Sequence, residues 1–148
     1  MRHQAIAKRT FVVILALATT VLLAVPAFGG GRPLSTELAG TNEVPPSGSP
    51  AVGTAHLTLN QGQGEICVEI ESSGYVTDVI AAHIHQAVAG MNGGVVVPLT
   101  ISSSGQVSNC EDVEKDLIKA IRQNPQGYYI NIHTSAIPTG AIRGQLSK

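Results

Sequence analysis

The histidines of Ala81-Ala82-His83-Ile84-His85 and of Asn131-Ile132-His133-Thr134 are the residues of this 148-residue chain best suited to chemistry. In extended backbone, alternate side chains share a face, so His83 and His85 project together and the isoleucines project the other way. Two histidines at that spacing stand about 7 Å apart at Cα, near enough to share one ion. Neutral imidazole suits copper or zinc, and three such ligands leave a coordination position open for water or substrate. His83, His85 and His133 are therefore a candidate three-histidine metal site. The competing reading is that these rings hydrogen-bond to loop backbones and hold the ends of the fold together. Taken alone, the residues favour that reading.

Other polar residues offer less. Arg143 could bind an anion beside a metal or pair with Glu65, Glu69 or Glu71 across a sheet, and the acidic pairing is the simpler expectation. His56 shares a strand face with Thr54 and Thr58 and reads as a solvated surface residue. Glu43 is the one acid in the turn Asn42-Glu43-Val44-Pro45-Pro46. Cys67 and Cys110 are the only cysteines, and in an exported chain a lone pair is expected to form a disulfide rather than remain as thiols or bind metal. No Ser-His-Asp arrangement, phosphate loop or paired-carboxylate motif is present.

The elements that must position these residues are mostly strands. Ala55, Leu57 and Leu59 alternate with Thr54, His56 and Thr58; Ile66, Val68 and Ile70 alternate with Glu65, Cys67, Glu69 and Glu71. Cys67 thus faces away from the core. Ile80, Ala82 and Ile84 are expected to share the inner face, and the run Val95 to Leu99 is expected to be buried on both sides or covered by another element. Ser108-Asn109-Cys110-Glu111 reads as a capping box opening a short amphipathic helix that ends before Asn124-Pro125, with Cys110 at its start. A Cys67–Cys110 bond would then pin this helix to the outside of the sheet. Tyr128, Ile130 and Ile132 oppose Tyr129, Asn131 and His133 on the next strand, and a last strand, Ala141 to Leu146, turns Arg143 and Gln145 outward. Seven or so strands and one helix predict an all-β, antiparallel Greek-key β-sandwich.

At the N-terminus, Arg2, Lys8 and Arg9 precede an apolar run from Phe11 to Val25 and the small residues around Ala27. This is the pattern of a secretory signal peptide over residues 1–27, followed by a flexible joint over 28–33 and one domain over 34–147. The apolar run is shorter than the roughly 20 residues that span a bilayer, so no stable membrane span is expected after cleavage. The expected location is periplasmic or cell-exterior. Removing the leader leaves six Lys/Arg against ten Asp/Glu, a net charge of −4. The six cations are scattered along the sequence, which argues against nucleic acid as a partner.

Leu38-Ala39-Gly40-Thr41-Asn42-Glu43-Val44-Pro45-Pro46, Ala82-His83-Ile84-His85, Asn92-Gly93, Tyr129 to Thr134 and Gly140 to Leu146 together resemble the CHRD domain, named from chordin and widespread in secreted bacterial proteins. The resemblance spans about residues 34–146 and implies an extracellular, immunoglobulin-like sandwich with no settled activity. A fainter likeness is to copper/zinc superoxide dismutases, which carry an HxH pair, a later copper histidine and an arginine in this order; no histidine-rich zinc loop accompanies it here, and a fourth copper ligand would have to be His56. These readings favour a non-enzymatic extracellular module that binds an unknown protein or matrix component. The alternative is a copper- or zinc-binding protein built on His83, His85 and His133.

Overall fold

The computed structural model describes residues 30–73, 76 and 78–148, so the segment expected to be a signal peptide lies outside the described residues. Eight strands follow in chain order: β1 (Arg32–Ala39), β2 (Val52–Asn60), β3 (Glu65–Ser73), β4 (Val79–Gln86), β5 (Gly94–Leu99), β6 (Ser108–Asp112), β7 (Tyr128–Thr134) and β8 (Ile142–Gln145). The helix α1 (Lys115–Gln123) stands between β6 and β7. All pairings are antiparallel, in the order β5-β4-β7-β8-β1-β2-β3-β6. The all-β class with one short helix holds. The two expected layers are halves of one nearly closed sheet, joined where Ala39 of β1 meets Arg143 of β8. The edge strands approach each other, and the Thr100 amide after β5 donates to the Glu111 carboxylate of β6 at 2.6 Å.

The period-two pattern decides which side chains meet between the halves. Leu57, Leu59, Ile66 and Val68 from one half and Ala82, Ile84, Ile130, Ile132 and Ile142 from the other form a single buried cluster, with Ile118 and Ile121 of α1 closing one end. Burying each such aliphatic side chain contributes about 1.5–3 kcal/mol, in place of the aromatic core this chain lacks. Ile80 departs from the pattern: β4 shifts register between Val79 and Ala81, and Ile80 is turned out to solvent. The run Val95 to Leu99 is buried on one face only. It forms an edge strand, with Val97 and Leu99 inside and Val95 and Pro98 exposed. Pro98 suits an edge, where a missing N–H breaks no ladder.

The largest correction concerns Ser108 to Asp112. These residues form β6 and pair with β3, and the helix begins only at Lys115. The capping-box residues are used otherwise: Ser108 lies opposite Glu69, and Glu111 holds Thr100. An open sheet edge on β3 supplies five paired positions, which outweigh one cap. Cys67 and Cys110 are disulfide-bonded, but directly across the β3–β6 ladder, so the bond joins two strands and does not pin the helix. Cys67 does lie on the outer face, as its alternation with buried Ile66 and Val68 requires.

Candidate metal centre

The outer face of β4, β7 and β8 carries the polar residues. In the β4–β7 register Ala81 faces His133, His83 faces Asn131 and His85 faces Tyr129. In the β7–β8 register Asn131 faces Arg143 and Tyr129 faces Gln145. Strand alternation therefore sends His83, His85, Tyr129, Asn131, His133, Arg143 and Gln145 to the side away from the core. Two loops then fold over that side.

The loop after β4 is fastened by β8. Arg143 donates from Nη2 to the Met91 carbonyl at 2.7 Å and from Nη1 to Asn92 Oδ1 at 3.2 Å, and Gln145 Nε2 donates to the Ala87 carbonyl at 2.8 Å. Asn92 ties this loop to the one after β1, donating to the Val44 carbonyl at 2.7 Å. Asn42 in turn donates to the Arg143 carbonyl, and Ser47 to that of Ala141. Arg143 is left 2% exposed, with its guanidinium carbon 3.3 Å from the centre of the Tyr129 ring. His85 stacks on the same ring, nearly parallel, at 4.7 Å.

Arg143 thus projects from the outer side of the sheet but is buried, and its acidic neighbour is Glu43 rather than Glu65, Glu69 or Glu71. The loop after β1 brings Glu43 there, and no sequence pattern links the two positions. Burial lowers the Arg143 pKa, opposed by Tyr129 and Glu43. Burial raises the Glu43 carboxyl above its ordinary 4.5, opposed by the Arg143 charge and by the nearby Asn131 amide. Glu43 Oε1 is buried without a hydrogen-bond partner.

The three histidines converge. One ring nitrogen from each of His83, His85 and His133 lies within 4.8 Å of the others. His83 Nδ1 and His133 Nε2 are 3.3 Å apart. Ligands on a tetrahedral ion with bonds of about 2.0–2.1 Å are themselves about 3.3–3.4 Å apart, so this pair already has the spacing of a coordination edge. Backbone oxygens orient two of the rings. His133 Nδ1 stands 2.9 Å from the Pro138 carbonyl, which can only accept, so the proton sits on Nδ1 and the Nε2 lone pair points at His83. His85 Nδ1 has the same relation to the Gly93 carbonyl at 2.9 Å. The Gly93 carbonyl comes this close because the residue has no side chain: a Cβ there would run into the Gln86 carbonyl.

His85 is the most constrained of the three, being 9% exposed with Asn131 Oδ1 3.1 Å from Nε2. Both neighbours are acceptors, so a neutral ring donates to one of them, and its other nitrogen is the one that could bind an ion. The His83 pKa is lowered, first by burial and then by the positive charge that His133 and His85 would carry. Lowering it favours the neutral imidazole that a metal needs. His56 is elsewhere, exposed on β2 between Ser35 and Glu69 in the other half of the sheet. Asn131 and the carbonyls of Gly93 and Pro138 were not singled out from the sequence. Asn131 was legible in principle, since it shares a strand face with His133; the carbonyls belong to loops whose paths no spacing reveals.

A nearly closed antiparallel sheet with a polar, loop-covered outer face is the class of molecule defined so far. The chain belongs to the CHRD-domain family, whose profile matches residues 34–146. Among curated proteins none matches it. Among the described residues, no helix is long and apolar enough to cross a membrane.

Proposed function

We propose that this protein is an extracytoplasmic CHRD domain that binds one copper or zinc ion through His83, His85 and His133. The observation that carries this reading is the convergence of one ring nitrogen from each of the three histidines, with the Pro138 carbonyl orienting the His133 ring so that its Nε2 lone pair lies beside His83. All-imidazole sets suit copper and zinc, and a bound ion would supply Lewis-acid or redox character at an open coordination position. Binding exchanges one hydrogen bond of His85 for coordination. Arg143 is committed to Met91, Asn92 and Tyr129, so this reading assigns it to holding the loop rather than to binding an anion.

Export through a cleaved leader belongs to the proposal, supported by the disulfide and by the family. The test is a titration of the metal-free, disulfide-bonded protein with zinc and with copper, repeated on His83→Ala and His133→Ala. The expected result is one equivalent bound by the parent and loss of binding in both variants, with folding retained. No stoichiometric binding by the parent would make the histidines loop tethers and return the non-enzymatic module for a protein or matrix partner to first place.

A further inference from the structure

Six Lys/Arg remain once the leader residues are set aside, and the fold gathers four of them at one place. Arg32 at the start of β1, Lys119 and Arg122 on α1, and Lys148 line a cleft of about 350 Å³ together with Gln61 and Gln123. No Asp or Glu side chain lines it. The ten acidic residues all lie between Glu37 and Asp116 in the sequence, seven of them on β3, on β6 or in the first residues around α1. An acidic domain has therefore concentrated its positive charge.

The negative end of the helix dipole accounts for Lys119 and Arg122, near the last turn of α1. It does not account for Arg32 or Lys148, which arrive from separate segments and repel the first two. Arg122 carries a second sign. Its Nη1 donates to Gln61 Oε1 at 2.6 Å, while its Nε is shut off from solvent with no partner among the described residues. Buried donors are nearly always satisfied, and a small shift of the Arg122 side chain towards an anion in the cleft would give this one an acceptor. With Nη1 occupied by Gln61, Nη2 is the guanidinium nitrogen left to meet an oxyanion, and the two parallel hydrogen bonds of the Nε–Nη2 edge form only once the side chain shifts.

We propose that this cleft is a binding site for a phosphate or sulfate group, presented free or as an ester on a larger extracellular molecule. Arg122 donates to it from its guanidinium, Lys119, Arg32 and Lys148 surround its charge, and the side-chain amides of Gln61 and Gln123 border it. The site lies apart from the histidine centre in its residues and stands whether or not a metal binds there. The scattered cations of the linear sequence are the reason such a site could not be read from it.

The test follows the Arg122 Nε–H signal by 15N NMR, with calorimetry, during titration at low ionic strength with inorganic phosphate and, separately, with a heparin-derived hexasaccharide. A saturable shift is expected with at least one probe. Lys119→Glu and Arg122→Gln should each weaken binding by about tenfold or more, as expected for loss of a charge-assisted contact. Lys115→Glu is the control for Lys119→Glu: it makes the same charge change on the same helix but outside this cleft. Response to phosphate supports a free-anion site; response to the hexasaccharide alone, with the same dependence on residues 119 and 122, supports an ester-borne group. Equal weakening by Lys115→Glu, or no saturable binding of either probe to the folded protein, overturns the proposal.

Discussion

Replacing Arg143 with Met tests how the loop-covered face is held. Arg143 is 2% exposed, makes two hydrogen bonds to the loop after β4 and stacks on Tyr129. A hydrogen bond to a charged group contributes about 1.5–3 kcal/mol, and a stacked guanidinium adds about 1 kcal/mol. Met restores most of the aliphatic volume but none of these contacts, and it leaves Glu43 buried without its counter-charge. Losing two hydrogen bonds to a charged group and the stack on Tyr129 leads us to expect a loss of about 3–5 kcal/mol by urea unfolding of the disulfide-intact protein. The pH dependence gives a sharper signature. The Glu43 carboxyl titrates above 4.5 in the folded protein, so the native state holds that proton more tightly than the unfolded chain does. Its contribution is therefore destabilising, absent below about pH 4 and developing as pH rises through the folded pKa. Without Arg143 the folded pKa rises further, so the deficit of Arg143→Met should be larger at about pH 7 than at about pH 4. Adding Glu43→Gln should remove the pH-dependent part. The loop also carries the Gly93 carbonyl that orients His85, so metal affinity should fall by about tenfold or more. A deficit below about 1 kcal/mol, or one equal at both pH values, would refute the reasoning.

Three further outcomes follow from particular contacts. Removing the disulfide with Cys67→Ser and Cys110→Ser opens a link between residues 43 apart and should lower stability by up to about 4 kcal/mol in urea, without changing metal stoichiometry, because β3 and β6 lie in the other half of the sheet. Gly140→Ala should lower the melting midpoint through a loss of about 1–3 kcal/mol: Gly140 has φ +129°, and a Cβ would stand 2.7 Å from Glu43 Oε1. His56→Ala should leave stability within about 0.5 kcal/mol and metal titration unchanged, since His56 is exposed on β2. A metal defect in that variant would contradict the three-histidine assignment.

The strands were legible because each has one wet face and one dry face, and a two-residue period records that directly. Ala55, Leu57 and Leu59, or Ile130 and Ile132, could not have been placed otherwise without exposing them. The helix start was misread because Ser108-Asn109-Cys110-Glu111 satisfies a local rule, while its actual partner, the edge of β3, is some forty residues away. Ile80 was misplaced because a bulge resets the period. Arg143 was assigned to the correct side of its strand and to the wrong surroundings, since alternation says which face a residue takes and nothing about whether a loop covers it.

By itself the sequence determined the all-β class, the inward and outward sides of most strands, the pairing of its two cysteines and the common face of His83 and His85. These follow from short-range alternation and from composition. Only the tertiary structure decided that β7 lies beside β4, bringing His133 within 3.3 Å of His83, and that two loops bury Glu43 against Arg143. Only it drew Arg32, Lys119, Arg122 and Lys148 to one cleft. The reason is the same in each case. Strand order and loop path are settled by which apolar faces can be buried together, a property of the whole chain that no local spacing contains.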